Sequence, residues 1–215
     1  MRVENINPNT NFGANLLRFK NNFVPKVGHL SKITGKYEQS SVSCLLVDGS
    51  AADIDALYHI SQDWQYVNSK YCYSNFTSNI YHNALKKSQG NSFYDKIKTY
   101  VLTSQTDNFE KLEDDKILAV ACVEESIPNI AGHISYIQGN PNYTYDKGAK
   151  YAGVGTSLMK CLQTVYNHIT LKSEQSYSVK KFYRKNDFIE EPKNSCCFKW
   201  SKDLFSVLGI GKDCK

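Results

Sequence analysis

Seven consecutive apolar residues, Ile117 to Val123, constrain this chain more than any other feature. A half-buried strand alternates apolar and polar side chains, so an unbroken run of this length describes a strand covered on both faces. Such cover takes helices, and the sequence offers them before and after the run. In "SAADIDALYHISQDW", Ser50 and Asp53 have capping-box spacing, and Ile54, Leu57, Tyr58 and Trp64 form one helical face. A second helical stretch runs from Asn75 to Lys87, with Phe76, Ile80 and Leu85 on one side. The turn-forming "SQGNS" ends it.

Other strand-like runs accompany the central one: "SCLLV" (Ser43–Val47) and "KTYVLTS" before it, "GHISYIQG" after it. The polar "QTDNFEKLEDD" fits a hairpin connection into the central run. Later, Leu158, Met159, Leu162, Val165, Tyr166 and Ile169 recur at helical spacing. Then come "ITLK" as a short strand, "SYSVKKFYRKND" as a helix and "CCFKWS" as a last strand. This order predicts a mixed α/β fold, with a mainly antiparallel central sheet flanked by helices. Residues 1–42, rich in Asn, Lys and Ser, read as an N-terminal arm packed on a single domain spanning 43–215.

The net charge of +5 comes from 26 basic and 21 acidic residues. Apart from Arg2, Arg18 and Arg184 the basic residues are dispersed lysines with no dense block, so nucleic acid is not an expected partner. No apolar run is long enough to span a bilayer, and "MRVENINPNTNFG" lacks the apolar segment of a signal peptide. A cytoplasmic protein without a membrane partner is expected. The seven cysteines are odd in number and include no CxxC pair, against a zinc ribbon or a disulfide framework, and no metal is expected. Cys44, Cys122 and Cys161 sit in apolar surroundings and read as reduced core residues. Cys196 and Cys197 would face opposite ways on a strand, and neither has the setting of a nucleophile.

One stretch carries a sharper signal: "KYAGVGTSLMKCL", Lys150 to Leu162. A P-loop needs Lys and Ser or Thr directly after its last glycine; Gly148 and Gly153 have the outer spacing, but Val154 and Gly155 follow. The dinucleotide fingerprint needs a third glycine where Leu158 stands. Two readings remain open on these residues alone. Tyr151 to Ser157 form either a backbone cradle for a phosphate at a helix N-terminus, or a tight strand-to-helix turn and nothing more.

The surrounding stretches add to this. "HISYIQGNP" is a strand ending at Gly139 and Pro141, and one helix and one strand after the turn comes "FYRKNDF", Phe182 to Phe188. The succession resembles the GNAT superfamily of N-acetyltransferases. Its signature is a strand ending near a proline, an (Arg/Gln)-x-x-Gly-x-(Gly/Ala) turn opening a helix, then a strand and a helix carrying "FYxKxGF". The resemblance covers residues 43 to 200 in element order, with its specific motifs in 134 to 188.

The resemblance implies a GNAT-like fold and an acetyl-coenzyme A site without metal. Backbone amides of Ala152, Gly153, Val154, Gly155 and Thr156 would hold the pyrophosphate, with Lys150 and Tyr151 leading into the turn and the Ser157 hydroxyl beside it. Ile137, Gln138 and Gly139 would pair with the pantetheine arm, a backbone N–H there polarising the thioester carbonyl. Tyr183 aligns with the family's tyrosine, which protonates the departing thiolate. The base is less defined: Glu124, with Glu125 and His133 as alternatives, and Gln138 orienting substrate without taking up a proton.

Three departures stand out. Lys150 replaces the usual Arg or Gln, the link "NPNYTYDKGAKYAG" is long, and Asp187 takes a customary glycine position. The expected activity is acetyl transfer from acetyl-coenzyme A to a primary amine by direct attack in a ternary complex. The acceptor is a small molecule or a protein amino group, and the oligomeric state is open, a dimer included. The alternative is a non-catalytic acyl-coenzyme A-binding or protein-interaction module on the same fold.

Overall fold

The run Ile117 to Val123 is fully buried and forms most of the central strand of a layered sheet. The computed structural model describes residues 4–5, 14–19, 22–47, 49–70, 76–144 and 149–202. Arg2, Asn75 and Gly148, named above, lie outside them, as do two of the seven cysteines, Cys72 and Cys214. The elements in order are β1 (Glu4–Asn5), β2 (Asn15–Arg18), β3 (Lys26–Leu30), β4 (Tyr37–Ser41), β5 (Ser43–Val47), α1 (Ala51–Lys70) and α2 (Thr77–Ser88). They continue with β6 (Ile97–Thr103), β7 (Ile117–Ile127), β8 (Ala131–Gly139), the short α3 (Pro141–Thr144), β9 (Tyr151–Ala152) and α4 (Val154–Val165). Last come β10 (His168–Lys172), α5 (Tyr177–Lys185), β11 (Ile189–Glu190) and β12 (Cys197–Ser201).

Among the described residues the main sheet runs β1-β2-β5-β6-β7-β8-β10-β12-β11, and a smaller one runs β4-β3-β9. All pairings are antiparallel except that of β8 with β10, which α4 joins as a crossover. The mixed α/β architecture with a mainly antiparallel sheet is as the element order predicts.

Side chains of β7 alternate between two separate cores. Ala119, Ala121 and Val123 face α4, whose Leu158, Met159, Cys161, Leu162 and Val165 are buried against them. Alanines at 119 and 121 let the helix sit close. Val120 and Cys122 face the other way, onto Leu57, Ile60 and Trp64 of α1 and Ile80 and Ala84 of α2. Burying each leucine-sized side chain contributes about 1.5–3 kcal/mol, so the two helical layers dominate the stability of the sheet. The Ser50 hydroxyl caps α1 by accepting the Asp53 N–H at 3.2 Å. Helix α1 outruns its apolar periodicity and extends through Asn68 to Lys70.

At the opposite edge, Glu190 ties α5 to β11. Its carboxylate accepts from Lys180 Nζ at 2.8 Å, from Arg184 Nη2 at 2.7 Å and from the Cys196 N–H at 3.1 Å. The hydrogen bond from Lys180, then that from Arg184, holds the carboxyl down to about 2. An unfolded glutamate titrates near about 4.3. The lowered folded value gives stability that is present above that pH and lost as pH falls through the folded value. Glu190→Gln is therefore expected to lower the melting temperature at pH 7. The gap to the parent should close between about pH 4.3 and pH 2. Thermal melts across this range check it; a gap that stays constant would show that the ion pairs do not carry the effect.

Candidate functional site

The glycine turn sits where two elements of different origin meet. Gly153 is the N-cap of α4 at φ 75°, a left-handed conformation that glycine adopts freely and that lets the chain swing from β9 into the helix. Nothing lies within 4 Å of where a Cβ on Gly153 would stand. The second glycine is required for a different reason. A Cβ on Gly155 would come 3.2 Å from Cε2 and Cζ of Phe182, so the first turn of α4 rests directly on an α5 ring. "KYAGVG" and "FYRKNDF", with Gly155 and Phe182 27 positions apart in sequence on either side of β10, thus form one surface.

The first backbone amides of α4 have no intrahelical acceptor by the geometry of a helix start, and Gly153 brings no side-chain cap. Ser157 donates its N–H to the Gly153 carbonyl at 2.9 Å, yet its buried hydroxyl has no hydrogen-bond partner. An unsatisfied buried polar group costs about 1–3 kcal/mol. Amides at a helix start and the positive end of the helix dipole are groups that favour negative charge beside them.

Upstream, the turn is braced. Leu30 donates to the Lys150 carbonyl at 2.9 Å, and Gly28 pairs with Ala152 and His29 with Tyr151. Alternation of the antiparallel ladder commits the Ala152 N–H to Gly28, which narrows the open amides of the turn to those from Gly153 onward. Lys150 is exposed, its Nζ 5.3 Å from the ring centres of both Tyr143 and Tyr151. The Tyr151 ring packs on His29 and Tyr143.

Tyr183 is buried among Phe182, Phe188 and Phe198, with ring centres 5.2, 6.0 and 5.4 Å away. Burial, followed by the charge of Glu174, pushes its phenol up to about 12, so the hydroxyl keeps its proton at neutral pH. That hydroxyl makes no hydrogen bond to any described residue. Asp187 takes φ 65° at the end of the motif, where a glycine is customary. Aspartate is among the residues that tolerate this geometry.

Strand β8 supplies the third part. It pairs with β10 only from Ala131 to Ile134, and no described strand pairs with Ser135–Gly139 on that side. The register against β7 shifts at the same point: Cys122 faces Tyr136 and Val123 faces Ile134, leaving Ser135 as a bulge. The bulge rephases the strand, so Ile134 and Ile137 pack toward α4, and Tyr136 toward α1 and α2. Gln138, opposite Val120, shares that second face. Because β10 ends at Lys172 the sheet is open there, and that side of β8 carries backbone groups without a strand partner among the described residues. Gln138 Oε1 accepts the Phe76 N–H at 2.7 Å beside it, while Nε2 is buried without a partner.

The candidate bases lie elsewhere. Gly139 pairs with Ala119 at the turn end of the sheet, whereas Glu124 pairs with His133, five residues further along β7. At strand rise that is about 16 Å away. Glu124 is half-buried and ion-paired with Lys96. Glu125 accepts from Tyr166 Oη at 3.0 Å and from the Asn129 N–H at 3.1 Å. Because Tyr166 spends its proton on Glu125, Tyr100 must donate in their 2.7 Å contact. His133 Nδ1 is 2.9 Å from Thr170 Oγ1. The structure therefore brings together Ile137–Gly139, Gly153–Ser157 and Tyr183, and leaves Glu124, Glu125 and His133 at the other end. A hairpin register read from the sequence already sets Glu124 against His133, near the far turn.

Two of the grooves among the described residues lie outside this opening. One of about 580 Å³ lies between the start of α1 and the end of α2, beside Tyr58 and Tyr81. The other, of about 360 Å³, is lined by Lys96, Lys98, Tyr100 and Glu125. Neither includes a residue of the turn. Among the described residues no group of three His, Cys, Asp or Glu could hold a metal ion, and no helix is long and apolar enough to cross a membrane.

No protein-family model matches the sequence, and no curated protein does. Similarity extends to solved structures. One is the N-acetyltransferase PseH of Campylobacter jejuni, at 16% identity and a TM-score of 0.38, covering 66% of this chain and 91% of that one. A second, described as a GNAT-family acetyltransferase of Desulfovibrio desulfuricans, has 10% identity and a TM-score of 0.46, covering 74% and 98%. The third is the Salmonella typhimurium acetyltransferase that modifies the N-terminal serine of ribosomal protein L7/L12. It has 13% identity and a TM-score of 0.46, covering 74% and 95%.

Proposed function

We propose that the protein is an N-acyltransferase that moves an acetyl group from acetyl-coenzyme A to a primary amine by direct attack in a ternary complex. The observation that carries this reading is the contact of the α4 glycine turn with the "FYRKNDF" helix, beside the point where β8 leaves β10. In this reading the helix start is an anion cradle, set at the same end of the sheet as an unpaired strand edge and a protonated tyrosine. When bound, acetyl-coenzyme A supplies the activated acetyl group.

The amides from Gly153 to Thr156 and the Ser157 hydroxyl would hold its pyrophosphate, with Lys150 beside the entry. The free edge of Ile137–Gly139 would take up the extended arm in the manner of an added strand. Tyr183, kept protonated by burial, would deliver a proton to the departing thiolate. No side-chain base stands at the opening among the candidates Glu124, Glu125 and His133. The same observation favours, as a second reading, a module that binds acyl-coenzyme A without catalysis.

Calorimetry with acetyl-coenzyme A, coenzyme A, ATP and NAD tests the binding half. Only the two coenzyme A species are expected to bind, and no binding at millimolar concentration would overturn the proposal. A thiol-release assay over polyamines, aminoglycosides, amino acids and lysine peptides then separates enzyme from module, since the module binds the donor and releases no thiol beyond the background.

A further inference from the structure

The glycine turn is held from outside its own motif. Strand β9, which leads into it, is two residues long and, among the described residues, pairs with β3 alone. Ordering backbone costs conformational entropy, which so short a strand offsets only through its partner. Three contacts secure the link in order along the chain. The Tyr37 hydroxyl donates to the Ala149 carbonyl at 2.7 Å, the Leu30 N–H donates to the Lys150 carbonyl at 2.9 Å, and Gly28 pairs with Ala152. Tyr37, Leu30 and Gly28 all belong to the β3–β4 hairpin, ahead of the stretch that carries the family resemblance.

The hairpin is anchored independently of the turn. At its base the Val42 N–H donates to the Pro25 carbonyl at 3.0 Å. Val27 and Val42 are buried in the same core as Val154 and Leu158 of α4. The hairpin thus fixes the link relative to the helix that the turn opens. Tyr37 reaches the link by crossing β3. A Cβ on Gly28 would stand 3.2 Å from Tyr37 Cβ and 3.4 Å from its Cδ1, so the ring lies over a residue without a side chain. Tyr37 is 45% exposed and outside the apolar core, so its contact with Ala149 is not a by-product of core packing.

We propose that Tyr37, seated across Gly28, is a positioning residue for the donor. It fixes the link from Ala149 into the glycine turn, so the grip on the donor's phosphates depends on a contact 112 positions away in sequence. This inference rests on the acyltransferase reading. Coupling of this kind runs both ways: the hairpin tightens the donor, and the donor steadies the hairpin.

Calorimetry on the full chain measures the affinities for acetyl-coenzyme A and coenzyme A. Tyr37→Phe keeps the ring and removes the hydrogen bond. It is expected to weaken both ligands equally, by about three- to tenfold, because the turn faces the phosphates they share. The melting temperature should stay within about 2 °C of the parent, as for other exposed substitutions. Gly28→Val displaces the ring and presses on Ala152, whose Cβ lies 3.5 Å from the new Cβ. It is expected to weaken the donor by about tenfold or more. In the double variant the loss should equal that of Gly28→Val alone, since the hydrogen bond is already gone. Amide exchange tests the reverse direction without a variant: saturating acetyl-coenzyme A should slow exchange at Leu30 by about threefold or more.

Undiminished donor affinity in Tyr37→Phe would overturn the inference. So would losses that multiply in the double variant, or exchange at Leu30 that acetyl-coenzyme A leaves unchanged. Failure of the native chain to bind acetyl-coenzyme A would instead remove the acyltransferase reading, and this inference with it.

Discussion

Replacing Tyr183 by phenylalanine is expected to lower the turnover of acetyl transfer by about 100-fold, the low end of what a positioned general acid contributes. Affinity for acetyl-coenzyme A should change by less than about twofold, because only the hydroxyl is removed. The fold should not suffer. The Tyr183 ring packs on Phe182, Phe188 and Phe198, and phenylalanine keeps all three contacts. The hydroxyl has no partner among the described residues, so its loss removes a burial penalty rather than a bond. Steady-state kinetics with a thermal melt read both quantities. With the phenol pushed up to about 12, Tyr183 should impose no titration on the rate below about pH 10. Unchanged turnover would end the acid assignment, and a fall in melting temperature would mark the hydroxyl as structural.

A comparable effect on the donor site is expected from Gly155→Val. Its Cβ would stand 3.2 Å from Phe182, whose ring belongs to that same packed aromatic group. Overpacking of this kind costs about 1–3 kcal/mol. Valine's better helix propensity returns only about 0.3–0.5 kcal/mol, so the clash wins. A chain of 215 residues loses about 2–4 °C per kcal/mol, giving an expected fall of about 1–11 °C. If the proposed cradle holds the donor, acetyl-coenzyme A affinity should drop by about tenfold or more, since moving the start of α4 misaligns the amides proposed to meet the phosphates. Calorimetry and a melt on the same preparation check both. A variant that melts lower but binds the donor as before would separate the turn from the cradle.

Much of this arrangement was legible because the sheet is built from neighbours in sequence. Hairpins β6–β7 and β7–β8 follow from apolar runs separated by polar turns, and the seven-residue run at 117–123 demanded cover on both faces. The two motifs pointed to each other before their contact through Gly155 and Phe182 was known. Other features depend on partners that local patterns do not reveal. The bulge at Ser135 exists only in register with Cys122 and Val123, and it decides that Tyr136 and Gln138 share the α1–α2 side. The pairing of Ala152 with Gly28 spans more than a hundred residues between two very short strand segments, too short to leave a periodic signature. Asn68 is a polar residue at the end of an apolar stripe, where the sequence pattern had already faded. Glu124 is the instructive case: its place at the end of the central apolar strand suggested a base facing the cleft, while strand direction carries that end away from the glycine turn.

The strand β7 contributes to two apolar clusters that share no side chain. It therefore works as a partition. Changes in side chains that line the α1–α2 layer need not disturb packing around α4 and α5, and distant substitutions without common partners add in free energy. A chain organised in this way can be retuned for one bound molecule while its grip on the other is left alone.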